Sequence, residues 1–379
     1  MTTGGYSMST HTAAGPSKNN YLFEIHFLRA LACLLVLGVH VSATNYAMND
    51  DTYTSFTYFM NQIGRFGTPI FAVISGFLLF YQVKRKGFQP GKFIVSRVSK
   101  ILIPFLIWST AYLYLLAYYN PGREVNLLGE AGTILSGNAF YHLYFVAIVV
   151  QFYIIFPIIQ RIFRTQTMMI AFAFISFMIS YKLYGFDPSI SGPVGEFLAG
   201  KSFMPVWIFY FAFGGLLAYF WEEISAFAVK RPFKMLLLAL FISGLAVLEY
   251  TVNGYVSNRR LSNLINIPLL SISIVGIYSL ISSTKIVKGF FILIGKYSMG
   301  IYLIHPMILY VMARELPQQY WDFTYVPAMF AAVLLIAVIF IAVFSLLPLS
   351  SFIIPVPKLK KPAAKKPEES QPEAEKLPA

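Results

Sequence analysis

The sequence predicts an all-α, polytopic transmembrane helix bundle of about ten transmembrane helices, with both termini cytoplasmic. Three observations predict it. Only 12% of the 379 residues are charged while 57% are hydrophobic, and the mean hydropathy is +0.66. A soluble globular chain carries about 25% charged residues, so half that share cannot cover a water-facing surface of this size. Aromatic residues make up 17%, which suits side chains set against lipid and at membrane interfaces. The basic residues, finally, are unevenly divided between alternate loops. A large soluble enzyme with one buried core is excluded. So is a disulfide scaffold, because Cys33 is the only cysteine.

A helix needs about 20 mostly apolar residues to cross the hydrocarbon. Ten stretches meet that need, roughly 26–45, 61–82, 101–119, 139–159, 166–184, 203–221, 234–251, 263–283, 290–312 and 324–348. The fifth is the weakest, since Met168–Tyr181 is a short apolar run that needs both flanks to span. Ten crossings put both termini on one side. With the N-terminus inside, the inner loops and tails hold Lys18, Lys84, Arg85, Lys86, Lys92, Arg97, Lys100, Arg161, Arg164, Lys230, Arg231, Lys234, Lys285 and Lys288. Lys358, Lys360, Lys361, Lys365, Lys366 and Lys376 bring that side to twenty. The outer loops hold six: Arg123, Lys182, Lys201, Arg259, Arg260 and Arg314. Cytoplasmic loops carry the excess of Lys and Arg, so both ends are expected in the cytoplasm. The net charge of +13 is then a topology signal with some attraction to anionic membrane lipid. No nucleic-acid partner is expected.

Residues 1–20 are polar and rich in Gly, Ser and Thr, without the charged n-region and cleavage site of a signal peptide. From Pro355 the chain is rich in Pro, Lys, Glu and Ala, too polar to fold alone. The expected organisation is a cytoplasmic tail over 1–20, a membrane domain over 21–350 and a disordered cytoplasmic tail over 351–379. Whatever chemistry the chain performs falls to the bundle.

Ionisable groups inside a membrane are costly and mark function. The first helix carries His26, Arg29 and His40, the second Arg65, the fourth His142 near its outer end, and the ninth Lys296 and His305. No carboxylate lies deep in a span, which disfavours a proton-driven antiporter. Arg29 and His40 are eleven positions apart, a rise of about 16 Å and roughly three full turns, so their side chains share one face. A snorkelling interfacial arginine with a packed histidine is the plainer alternative. Arg97 and Lys100 are one turn apart at the start of the third helix and can hold a phosphate between them, or serve as an ordinary positive-inside anchor. His305 directly precedes Pro306, where freed backbone groups must find partners and a kink is expected. The histidines lack ligand spacing, and no metal is expected.

The pattern Arg29-x10-His40 is followed by FAVISGFLLF (71–80), FIVSRVSKILIPFLIW (93–108), FYHLYFVAIVVQFYIIFPII (140–159) and GKYSMGIYLIHPMIL (295–309). In that order these segments resemble the acyltransferase-3 family, membrane-bound O-acyltransferases that modify cell-surface carbohydrates. The resemblance covers about residues 20–350. It implies that His40 is the family's essential histidine, that Arg29 opens the same motif, and that Arg97 and Lys100 fall on the family's pair of arginines. Lys100 departs from the pattern, and lysine keeps the charge but loses the bidentate fork. The family often carries a soluble domain that completes transfer outside. This chain shows none, so it is expected to act alone, as a homo-oligomer or with a separate extracytoplasmic acyltransferase. The implied location is the bacterial cytoplasmic membrane.

The expected reaction moves an acyl group, acetyl by preference, from cytoplasmic acetyl-CoA to a hydroxyl of a cell-envelope glycan, an exopolysaccharide or a lipid-linked saccharide. Arg97 and Lys100, with Arg29, supply cations for the CoA phosphates. His40 either deprotonates the acceptor or carries the acyl group itself, with His305 as a second site residue. Ser75 and the pair Tyr141 and His142 are candidates for acceptor binding. Ser75-Gly76 can equally serve close helix packing, and Tyr141 with His142 an interfacial aromatic belt. No Ser-His-Asp triad is apparent, because no buried carboxylate is available to orient an imidazole. The rival is a transporter or flippase of polysaccharide precursors or acyl groups without chemistry of its own. It accounts for the helices but not for Arg97 and Lys100 together with His40.

Overall fold

Backbone groups in hydrocarbon must be satisfied within the chain, and this chain does so with helices. The structure, a computed structural model, describes residues 22–122 and 126–356. The tail over 1–20 with Lys18, the loop residue Arg123, and residues 357–379 of the expected C-terminal tail lie outside the described residues. The first residues of that expected tail are ordered instead, with a 3-10 turn over Ser350–Phe352, Trp108 Nε1 donating to the Ile353 carbonyl at 3.0 Å and Ile354 buried. The helices are α1 (Phe23–Met48), α2 (Ser55–Gly64), α3 (Gly67–Lys86), α4 (Pro90–Arg97), α5 (Ile103–Tyr119), α6 (Leu127–Leu135), α7 (Tyr144–Ile162) and α8 (Gln166–Lys182). They continue with α9 (Pro193–Ala199), α10 (Ile208–Tyr219), α11 (Trp221–Val229), α12 (Pro232–Asn253), α13 (Asn263–Ile281), α14 (Lys285–Glu315) and α15 (Val326–Phe344).

Nine segments among the described residues are long and apolar enough to cross a membrane: α1, α2–α3, α4–α5, α7, α9–α10, α12, α13, α14 and Phe323–Phe344. The protein is a multi-pass membrane protein. The fifth expected crossing, 166–184, is α8, a helix of 17 residues that is not among these nine. Its rise is about 26 Å against a hydrocarbon core of about 30 Å. The Thr165 side chain caps its start by accepting from the Met168 amide at 3.2 Å, and its apolar run stops at Lys182. On α12, Leu237, Leu240, Phe241, Leu245 and Leu248 are exposed while Met235, Ile242, Ala246 and Tyr250 are buried. A stripe that apolar is a lipid face.

Helix α1 is the inner post, packed against α2, α3, α13, α14 and α15. Its Leu37 and Val41 join Leu309, Trp321, Val326, Met329 and Val333 in one apolar cluster, and Asn45 Nδ2 donates to the Trp321 carbonyl at 2.6 Å. Helices α3 and α10 cross at backbone contact. A Cβ on Gly76 would lie 2.1 Å from the Phe211 carbonyl oxygen, and one on Gly214 would lie 2.1 Å from that of Val73. Ser75-Gly76 therefore serves close packing, and the Ser75 hydroxyl donates to the Phe71 carbonyl at 2.8 Å.

Two local departures position the site. The fourth crossing was expected from residue 139, but α7 begins at Tyr144 and residues 140–143 form a turn, preceded by Gly137 at φ 76°. Tyr141 and His142 thus sit on a turn rather than on a helix. The second departure is in α14, which runs unbroken through Pro306. Met307 donates its amide to the Tyr112 hydroxyl at 3.0 Å, and that hydroxyl donates to the Leu303 carbonyl at 2.7 Å. A side-chain hydroxyl is thus inserted in the helical ladder, a known way for helices to absorb a proline.

Two outcomes follow for stability. Gly76→Ala forces α3 and α10 apart and should cost about 1–3 kcal/mol, read as a lowered thermal unfolding midpoint in detergent. Tyr112→Phe strips the ladder of its inserted hydroxyl and should cost about 1–3 kcal/mol for the unpaired backbone groups. An unchanged midpoint for Tyr112→Phe would mean that α14 closes its own ladder without help.

Candidate active site

Three of the four described histidines meet at one end of the bundle, from three distant parts of the chain. The His40 ring on α1 lies 5.2 Å from that of His305 on α14, centroid to centroid, and 4.8 Å from the Tyr141 ring. The His142 ring lies 5.9 Å from His305. His142 and His305 are each 1% exposed, whereas His40 is half-buried and Tyr141 is 49% exposed. His40 is therefore the imidazole of the cluster that a ligand entering past Tyr141 can reach.

The elements hold each ring in place. Tyr302 donates its hydroxyl to the His142 carbonyl, Tyr112 stacks on Phe140 at 4.3 Å, and Tyr112 meets the His142 ring edge-on at 5.0 Å. His305 Nδ1 is 2.8 Å from the Ile301 carbonyl. A carbonyl only accepts, so Nδ1 carries the proton and Nε2 keeps its lone pair. That Nε2 is buried without a hydrogen-bond partner. The Leu303 carbonyl lies beside the His142 ring, but no hydrogen bond of good geometry reaches either of its nitrogens. Buried polar atoms are seldom left unpaired, and here they belong to two rings whose centroids are 5.9 Å apart. Such a cluster can take, hold and pass a proton. Among the described residues no group of three or more His, Cys, Asp and Glu side chains is placed to hold a metal ion.

Arg65, noted in the sequence only as an intramembrane charge, stands at the break between α2 and α3 and acts electrostatically on His40. Its signal was a cation between two glycines, Gly64 and Gly67. Tyr112, which carries the α14 ladder, had no signal at all beyond being one more aromatic in an apolar helix.

Arg29 is elsewhere. It lies eleven residues from His40 on one unbroken helix, about 16 Å away along the axis, beside His26 and Cys33. Ser75 lies one turn from Phe71 on α3 and is half-buried. At the opposite end of α3 a cavity of about 210 Å³ is lined by Lys86, Lys92 and Arg97, with Phe88, Phe93 and Phe156 among its apolar walls. Arg97 stacks over Tyr153 at 5.0 Å and Phe93 at 5.4 Å, and its Nε is buried without a partner. A second cavity of about 510 Å³ shares Val83 and Phe88 and adds Lys84, Arg161 and Arg164. Lys100 is exposed on a π turn, Val98–Leu102, that joins α4 to α5, and it does not line either cavity. From Phe71, whose ring packs against Tyr302 of the histidine end, to Val83 is about 18 Å of helix rise.

Residues 22–345 match the model of an acyltransferase domain. A probable poly-beta-1,6-N-acetyl-D-glucosamine export protein of Staphylococcus aureus (strain Mu50 / ATCC 700699) is 24% identical over 300 residues, covering 76% of this chain and 82% of that protein. A protein of the same description from Staphylococcus epidermidis is 25% identical over 310 residues, covering 77% and 82%. No solved structure matches the chain. With a family model spanning nearly the whole membrane bundle, the chain belongs to the acyltransferase-3 family and is an acyltransferase.

Proposed function

We propose that the protein moves an acyl group, acetyl by preference, from cytoplasmic acyl-CoA to a hydroxyl of a cell-envelope glycan, an exopolysaccharide or a lipid-linked saccharide, in the bacterial cytoplasmic membrane, with the short helix α8 as a tenth crossing and both termini inside. The observation that carries this reading is the meeting of His40, His142 and His305 at one end of an acyltransferase bundle whose other end holds basic cavities. An acyl-CoA is built the same way. It has phosphates at one end, a thioester at the other and a long thiol arm between.

At the basic end, Arg97, Lys86 and Lys92 meet the phosphates through charge-assisted hydrogen bonds, and Lys84, Arg161 and Arg164 extend the positive field. Lys100 and Arg29 add to that field from the π turn and from α1. At the histidine end, His40 takes the proton of the acceptor hydroxyl, because a sugar hydroxyl is a weak nucleophile and imidazole titrates near working pH. The His305 lone pair at Nε2 orients His40 or relays its proton. Transfer through an acyl-His40 intermediate satisfies the same geometry. Tyr141, exposed and against His40, is the acceptor contact, with His142 behind it and Ser75 further along α3. A separate extracytoplasmic acyltransferase or a second copy of the chain completes the assembly where the acceptor lies farther out.

The second reading is export without chemistry. It is favoured by the description of the staphylococcal relatives as probable poly-beta-1,6-N-acetyl-D-glucosamine export proteins. Purified protein in lipid given labelled acetyl-CoA separates the two, since only the transferase releases CoA or labels an acceptor glycan. Glycan movement into sealed vesicles with no CoA release would favour the exporter. For the donor site, Arg97→Ala should raise KM for acetyl-CoA about tenfold at nearly constant kcat, the pattern of lost uniform binding. Raised salt should weaken the donor further, and Lys100→Arg should be tolerated. An Arg97→Ala protein with unchanged KM would move the donor away from this cavity.

A further inference from the structure

Arg65 is anchored on several sides. Its Nη2 donates to Asn61 Oδ1 at 2.8 Å, and its guanidinium stacks over the Tyr255 ring at 4.4 Å. Asn61 Nδ2 in turn reaches the Val39 carbonyl and the Ser42 hydroxyl, both at 3.2 Å. Val39 is the residue before His40. A Cβ on Gly64 would lie 2.6 Å from the Leu35 carbonyl oxygen, and one on Gly67 would lie 2.6 Å from that of Ala32. Two glycines thus press the segment that carries Arg65 onto the backbone of α1, over the two turns that lead up to His40.

The groups that hold Arg65, Asn61 and Tyr255, are neutral. Its Nε is buried without a hydrogen-bond partner, while the side chain as a whole is half-buried. Its charge acts on His40 of α1, on Tyr53 of the loop before α2, on Tyr144 of α7 and on Arg260, whose own charge is paired with Glu249 at 3.4 Å. A guanidinium kept in a low-dielectric site with neutral partners is costly. That cost is offset when negative charge arrives beside it.

We propose that Arg65 is the anion-holding group of the histidine site and binds the oxyanion that forms on the acyl carbonyl during transfer. The role rests on the acyl-transfer reading. The acceptor oxygen bonds to the thioester carbon as His40 takes the acceptor proton, and the carbonyl π pair moves onto oxygen beside the guanidinium. The pair then returns to carbon as the C–S bond breaks, and the CoA thiolate leaves with the proton that His40 took. Arg65 is bound more tightly to that intermediate than to the neutral thioester, so its effect falls on kcat. Because the guanidinium is already anchored, it need not reorganise when the charge forms.

The test is steady-state acetyl transfer by purified full-length protein in lipid, with acetyl-CoA as donor, for wild type, Arg65→Gln, Arg65→Lys and Arg65→Ala. Arg65→Gln should lose about 10²–10³ in kcat, as for other oxyanion donors, with KM for acetyl-CoA within about threefold of wild type by the same differential-binding logic. Arg65→Lys should recover part of the rate, and added guanidinium should recover part of the Arg65→Ala rate. Wild-type kcat in folded Arg65→Gln would overturn the proposal. So would an Arg65→Ala loss that guanidinium cannot rescue and that tracks a lowered melting temperature, which is the mark of a packing residue. A wild-type protein that transfers no acyl group would instead overturn the acyl-transfer reading itself.

Discussion

Beside Pro306 the Tyr112 hydroxyl is inserted between the Met307 amide and the Leu303 carbonyl of the α14 ladder, accepting from the first and donating to the second. In hydrocarbon there is no water to take over those two backbone groups, so a protein group must. That single insertion allows a proline directly after His305 without breaking the helix. His305 keeps its Nδ1 on the Ile301 carbonyl, and its Nε2 is buried without a hydrogen-bond partner. The same tyrosine packs against Phe140 and His142, so the turn that brings His142 inward rests on it as well. Three elements, α5, α14 and the turn before α7, are coupled through one phenol ring.

Around that constraint the bundle separates its charges by length. Cations gather in the cavities at one end of α3, while at the other end the histidines meet near Arg65 and near the buried Arg260, which stacks over Phe66 and pairs with Glu249 at 3.4 Å. Separation matters because charge interactions strengthen as the dielectric falls. A phosphate binder placed beside the histidines would compete with the reacting carbonyl for the same cation. With α3 carrying both ends at roughly 18 Å spacing, one helix sets the distance that the arm of the proposed donor would bridge. The close α3–α10 crossing at Gly76 and Gly214 keeps that ruler rigid.

The helices themselves were legible because membrane spans announce themselves by length and hydropathy. α8 fell short for the reason visible in its own residues, a short apolar run that ends at Lys182. His40 and His305 could each be singled out as costly intramembrane groups. Their meeting could not, since 265 residues separate them and no local period reports a contact between distant helices. The expected pairing of Arg97 with Lys100 assumed α-helical spacing. The π turn over Val98–Leu102 widens the helix there, and Arg97 enters a cavity with Lys86 and Lys92 instead. Likewise, the aromatic run at 140–145 looked like the start of a helix. Only the folded turn after Gly137 shows that His142 faces inward.

The central claim is that His40 does proton or acyl chemistry rather than packing alone, and a single-turnover rate for His40→Gln tests it most directly. Glutamine keeps hydrogen bonding and much of the volume but takes no proton at neutral pH. With acetyl-CoA and an acceptor glycan bound, the account predicts that transfer slows by about two to four decades, the usual contribution of a general base, while the melting temperature stays close to wild type. A folded His40→Gln protein that transfers its acyl group at the wild-type rate would contradict it.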